Sequence, residues 1–74
     1  MEDMRLKYCM EQDRWEAHSD GFYPIPMHCG EQFHIKVGDE YLPCRLELGK
    51  DWYIVFSDTR FFLDQKTSYP IYLF

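Results

Sequence analysis

The sequence predicts a mainly β protein: a small antiparallel SH3-like barrel or coiled meander sheet of five to six short strands. Three observations carry that expectation. Short alternating segments are separated by turn residues, no helical period outlasts a turn or two, and the stretch from Phe33 to Leu48 reads as a hairpin whose apolar residues keep one parity through the reversal. The alternative is an open α+β fold in which the N-terminal segment forms a short helix.

Taken in order, Leu6 to Met10 and Trp15 to Ser19 flank the polar Glu11-Gln12-Asp13-Arg14, a hairpin with a four-residue loop. Pairing Met10 with Trp15 and Tyr8 with Ala17 buries that side and turns Lys7, Cys9, Glu16 and His18 to the other. Asp20-Gly21 marks a turn, and Pro24 and Pro26 make Phe22 to Met27 an irregular connection that His28-Cys29-Gly30 closes. Gly38-Asp39 suits a type II′ turn joining Phe33–Val37 to Glu40–Leu48. Pairing Val37 with Glu40 sets Phe33, Ile35 and Val37 on one face with Leu42, Cys44, Leu46 and Leu48, a set that a one-residue slip would split.

A three-residue loop, Gly49-Lys50-Asp51, then pairs Leu48 with Trp52 and brings Trp52, Ile54 and Phe56 to the same interior. Ser57 to Arg60 is a polar turn, Phe61 to Asp64 a short strand, Gln65 to Ser68 a turn, and Tyr69 to Phe74 a last strand expected inside the sheet, where its apolar edge is covered. The whole chain, residues 1–74, reads as a single domain without linker, repeat or low-complexity tract. Six Phe, six Tyr and two Trp give the short chain large areas to bury.

The 13 acidic and eight basic side chains leave a net charge of −5. Lys and Arg form no run or stripe in the sequence, which argues against direct binding of nucleic acid and favours a basic protein surface as partner. No stretch approaches the ~20 apolar residues of a membrane span. The opening Met-Glu-Asp-Met-Arg lacks a basic start and apolar run, so a cytoplasmic setting with reduced cysteines is expected.

No enzymatic activity is expected. The sequence holds no Gly-x-Ser-x-Gly elbow, no phosphate-binding loop and no spaced carboxylate pair, and His28 and Cys29 as chain neighbours point apart. Zinc needs four nitrogen or sulfur ligands, and the proposed hairpin register puts Cys9 and His18 diagonally on one face, within reach of His28 or Cys29; the cofactor expectation is therefore none or zinc at those residues. The outward side of the central hairpins carries Tyr41, Arg45, Glu47 and Tyr53, with His34 and Lys36 nearby. Tyr and Arg combine area with a directional polar tip, so this side is the expected partner-binding surface, joined by the acidic Asp39, Glu40 and Asp51. Scattered turn carboxylates offer a mimic of phosphates to a basic groove.

The run His28-Cys29-Gly30-Glu31-x-Phe33-x-Ile35-x-Val37, followed by Arg45-Leu46-Glu47-x-x-x-Asp51-Trp52-Tyr53, resembles a small uncharacterised domain family of phages, plasmids and conjugative elements of Gram-positive bacteria. The resemblance covers about residues 14 to 74. It implies a genomic setting in which small accessory proteins counter host defence by stoichiometric binding. The expected function is accordingly a non-catalytic inhibitor in a bacterial host cytoplasm, for example of a CRISPR nuclease. The alternatives are a zinc-stabilised regulatory or adaptor module and a domain that binds a peptide or small ligand.

Overall fold

The computed structural model describes residues 4–73, all in one antiparallel sheet with its turns. The strands are β1 (Met4–Cys9), β2 (Arg14–Ser19), β3 (Ile25–Pro26), β4 (Gln32–Val37), β5 (Glu40–Leu48), β6 (Trp52–Phe56), β7 (Thr59–Phe62) and β8 (Tyr69–Tyr72). Their spatial order is β3-β2-β1-β8-β4-β5-β6-β7. The mainly β expectation holds, with eight strands in place of five to six. The strand without a counterpart in the sequence reading is β3, which forms where Met27 and Ile25–Pro26 pair with β2, and β7 begins two residues before the strand read from sequence. The sheet has two edges, β3 and β7. Among the described residues there is no helix, and so none long and apolar enough to cross a membrane.

Alternation sets everything else. Leu6, Trp15, Ala17, Phe33, Ile35, Cys44, Leu46, Ile54 and Ile71 share one face, and with Met27 they form a single buried cluster. Residues of β2 and of β5–β6 can meet in one cluster only if the sheet coils over its inner face, which the right-handed twist of successive strands permits. Three tyrosine or phenylalanine rings seal the cluster. Tyr8 packs edge-on to Trp15 at 5.5 Å, Tyr69 lies 6.0 Å from Trp15, and Phe61 meets Tyr69 at 6.1 Å. Val37 and Leu48, expected inside, lie at strand ends and are about half exposed.

The central registers follow the turn chemistry. Val37 pairs with Glu40 across Gly38-Asp39, and Gly38 alone of that pair has positive φ, +63°, as a type II′ turn requires. Leu48 pairs with Trp52 across the three-residue loop. Ser57-Asp58 makes a two-residue turn of its own, with Ser57 at φ +55°, so Thr59 and Arg60 join β7.

The first hairpin keeps its predicted faces but not its register. Tyr8 pairs with Trp15 and Leu6 with Ala17, while Cys9 pairs with Arg14. The four-residue loop is Met10 to Asp13, one residue earlier than expected. Asp13 takes a φ of +52°, tolerated by Asp, and its carboxylate accepts the Tyr8 hydroxyl. Arg14 is thereby free to enter β2, where it pairs with Glu16 at 3.0 Å.

Leu46 is fully buried at the centre of this core. Removing its isobutyl group leaves a cavity worth roughly 2–5 kcal/mol, comparable with the total stability of roughly 3–5 kcal/mol that so small a core supplies. Leu46→Ala is therefore expected to abolish cooperative thermal unfolding near room temperature, measured by near-ultraviolet circular dichroism.

Candidate functional site

The residues His28, Cys29, Gly30 and Glu31 form one local device. Glu31 N–H donates to the His28 carbonyl at 3.1 Å across a turn whose third residue, Gly30, has φ +91°. That value is what a type II turn demands and what a side chain resists. Gly30 N–H donates to the Leu46 carbonyl at 2.7 Å, and Leu46 N–H donates to the Glu31 carbonyl at 2.9 Å. Two residues thus face one, a β-bulge with glycine in its first position. The Glu31 carboxylate accepts the His28 backbone N–H at 3.2 Å and lies 2.9 Å from His28 Nδ1.

The bulge carries Cys29 onto β5. Its thiol donates to Glu47 Oε1 at 3.2 Å, and the Arg45 guanidinium donates to the other oxygen of the same carboxylate. Glu47 is held below the usual carboxylate range, first by the Cys29 thiol and then by Arg45. Glu47 in turn stands opposite Tyr53 on β6. The run His28 to Glu31 and the run Arg45 to Glu47 therefore meet in space. Together they form an anchor that fixes residues 27–31 to β5 while Met27 is buried in the core.

Around this anchor lies the outer face of β4 to β8. Tyr72 contacts His34 at 5.9 Å and Tyr41 at 6.4 Å, and Tyr53 contacts Phe62 at 5.6 Å with the Arg60 guanidinium 5.3 Å above the Tyr53 ring. Phe62, Tyr72 and Tyr41 are 60%, 42% and 40% exposed. The expected surface of Tyr41, Arg45, Glu47 and Tyr53 is thus on one face, and the structure extends it by Tyr72, Phe62 and Arg60. Those three were missed because the final strand's neighbours could not be read locally and Arg60 was assigned to a turn. The reading of Ser57-Asp58 as a two-residue reversal would have recovered Arg60 and Phe62.

The acidic members of the set are dispersed. Asp39 sits in the β4–β5 turn and Asp51 in the β5–β6 turn, at opposite ends of the nine-residue β5. Glu40 pairs with Val37 and so has the parity of Leu42 and Cys44, the inner side, opposite to Tyr41. They frame the outer face without adding to it.

The proposed zinc ligands are not brought together. Cys9 pairs with Arg14 at the turn end of the first hairpin, whereas His18 pairs with Arg5, four residues further along the strand and so roughly 13 Å away. His18 Nε2 lies 3.3 Å from Glu16, His28 engages Glu31 and Cys29 engages Glu47. The two-residue shift in register undoes the diagonal contact expected from sequence. Among the described residues, no three His, Cys, Asp or Glu side chains are placed to hold a metal ion.

The fold and its outer face define a class: small all-antiparallel β domains with a covered core on one side of the sheet and an aromatic, polar surface on the other. The chain belongs to the family described as Domain of unknown function (DUF5348), whose model matches residues 4–72. It is similar to the crystal structure of a protein from Ruminococcus gnavus, a Northeast Structural Genomics Consortium target, with a TM-score of 0.78 and 29% sequence identity over 96% of this chain and 99% of that one. No curated protein matches the chain.

Two measurements check this geometry. Burial pushes the Cys44 thiol up to about 12, whereas Cys29 is exposed. A thiol reagent at neutral pH is expected to label Cys29 in the native protein and Cys44 only on unfolding, read by mass spectrometry of the peptides. Because the folded Glu47 carboxyl titrates below its unfolded value, its contribution is present above the unfolded pKa and is lost as pH falls through the folded one. In Glu47→Gln the acid-side loss of thermal stability should be shallower than in the parent, measured by melting temperature between about pH 5 and pH 2.

Proposed function

We propose that the chain is a non-catalytic binding domain that engages its partner with the outer face of β4 to β8. The observation that supports this reading is the exposure of Tyr41, Tyr72 and Phe62 on the side of the sheet opposite the core. Large rings left in water cost solvation that packing of this domain does not recover, and such groups anchor interfaces. The Arg45–Glu47–Cys29 anchor holds that surface in fixed shape, which lowers the ordering cost of association. The mobile-element setting implied by the resemblance adds stoichiometric anti-defence binding as the biological role.

A second reading rests on the turns. Asp13, Asp20, Asp39, Asp51, Asp58 and Asp64 are all in or beside reversals, at the rim of the sheet. This acidic rim suits docking onto a basic protein, for instance an enzyme that handles nucleic acid, and such docking weakens with salt.

The outer-face reading predicts that Tyr41→Ala and Tyr72→Ala retain the parent's melting temperature within a few degrees yet capture less partner. The check is a pull-down from a bacterial host lysate with quantitative mass spectrometry, in which a specific protein or nucleic acid falls at least about tenfold for the variants. Equal capture by parent and variants would reject the outer face. Capture preserved in the variants but lost at high salt would favour the acidic rim.

A further inference from the structure

The chain is acidic as a whole, but its charge is sorted by the sheet. Strand alternation sends Arg5, Lys7, Arg14, Lys36, Arg45 and Arg60 to the outer face, six of the eight cationic side chains. Among the described residues, the strand carboxylates on that face are Glu16 and Glu47, and each is paired to an arginine, Arg14 and Arg45. The remaining described acids lie in turns or, for Glu40, on the inner side. The linear sequence shows no basic stripe because these charges are distributed over separate strands. Charges dispersed along the chain, on five different strands, fall on one side of the sheet because every one has outward parity.

The cations are interleaved with rings. Across the strands the registers give Tyr72 beside His34, Lys36 beside Tyr41, Gln32 beside Arg45, Arg45 beside Val55, and Val55 beside Arg60. Tyr53 and Phe62 flank the last of these, with Arg60 over the Tyr53 ring. Two groups of rings thus stand on either side of Arg45. Lys7, Lys36 and Arg60 are exposed and have no carboxylate within ion-pair distance among the described residues.

We infer that this face binds single-stranded nucleic acid, its bases stacking on Tyr41, Tyr72 and Phe62 and its phosphates meeting Lys36, Arg60 and Lys7. A positive surface bearing exposed rings on a β-sheet offers both terms that such a strand needs, stacking and phosphate neutralisation. Charge complementarity separates this occupant from a basic protein, which Lys7, Lys36 and Arg60 would repel. A duplex hides its base faces and gains only the phosphate term. The acidic turns at the strand ends border the cationic face and confine a polyanion to its middle. The inference deepens the outer-face reading above, on which it rests, by naming the class of ligand.

The test is fluorescence anisotropy of labelled oligo(dT) and oligo(U) of about 12 nucleotides, with a duplex of equal length as control, titrated with the full chain. Single strands are expected to bind at micromolar concentration and more tightly than the duplex. Affinity should drop roughly tenfold between about 50 and 200 mM NaCl, as release of counterions from two or three phosphates requires. Tyr41→Ala and Tyr72→Ala should each weaken binding at least about fivefold, and Lys36→Glu and Arg60→Glu more, with circular dichroism unchanged. Absence of binding to every single strand at 100 μM protein and about 50 mM NaCl would overturn the inference. So would binding that these four variants leave intact, or a preference for the duplex. If no oligonucleotide binds while Tyr41→Ala still loses a captured protein, the ligand class is wrong and the outer-face reading stands; if neither readout responds, both fail.

Discussion

The fold depends on one long-range pairing, the insertion of β8 between β1 and β4. Ile71 is the residue at the seam, opposite Met4 on one side and Ile35 on the other, and it is buried. Without β8 the sheet falls into two ladders, the β1–β2–β3 meander and the β4–β5–β6–β7 meander, linked through residues 27–31. β8 joins them into one sheet, which lets Trp15 and Leu46 belong to a single core. Its ladder with β1 connects residues 63 to 67 positions apart, so the last strand is also the one whose closure costs the most chain entropy. Arg5 reinforces that junction through its bonds to Ser68, Nε to the hydroxyl at 2.9 Å and Nη2 to the carbonyl at 3.2 Å.

The same alternation that fills the core also builds the outer face. Every inward Phe33, Ile35, Leu46 or Ile54 obliges its neighbour to point out, and those neighbours are His34, Lys36, Arg45 and Tyr53. The anchor made by Cys29, Arg45 and Glu47 lies where the two sets are tied together. Gly30 serves the inner set by admitting Met27, and Cys29 serves the outer one by fixing Glu47.

What was legible in the sequence was local. The Gly38-Asp39 reversal and the three-residue loop before Trp52 fixed the registers of β4, β5 and β6, because turn chemistry and apolar parity there point the same way. The first hairpin kept its faces and lost its register by two, since parity survives an even shift and the polar run from Glu11 to Arg14 contains no glycine to mark the turn. That shift alone separated Cys9 from His18. The partners of β8 were out of reach because no neighbouring turn specifies a pairing across the whole chain, and Tyr72 was therefore missed with them. The sorting of charge was hidden for a different reason: net charge is a sum, and a sum carries no information about sides.

The two rims of the sheet differ. β3 is two residues long and ends in Pro26, which has no N–H to offer. β7 has neither proline nor bulge. Its bonds to β6 use the peptide groups of Thr59, Phe61 and Leu63, which leaves those of Arg60 and Phe62 turned away from the sheet. Growth of the sheet by an added strand is thus one-directional: an incoming extended chain finds two ready donors and two ready acceptors along Thr59–Phe62 and almost none at the far rim. In concentrated solution the first ordered aggregates of this protein should carry β7 at their junctions.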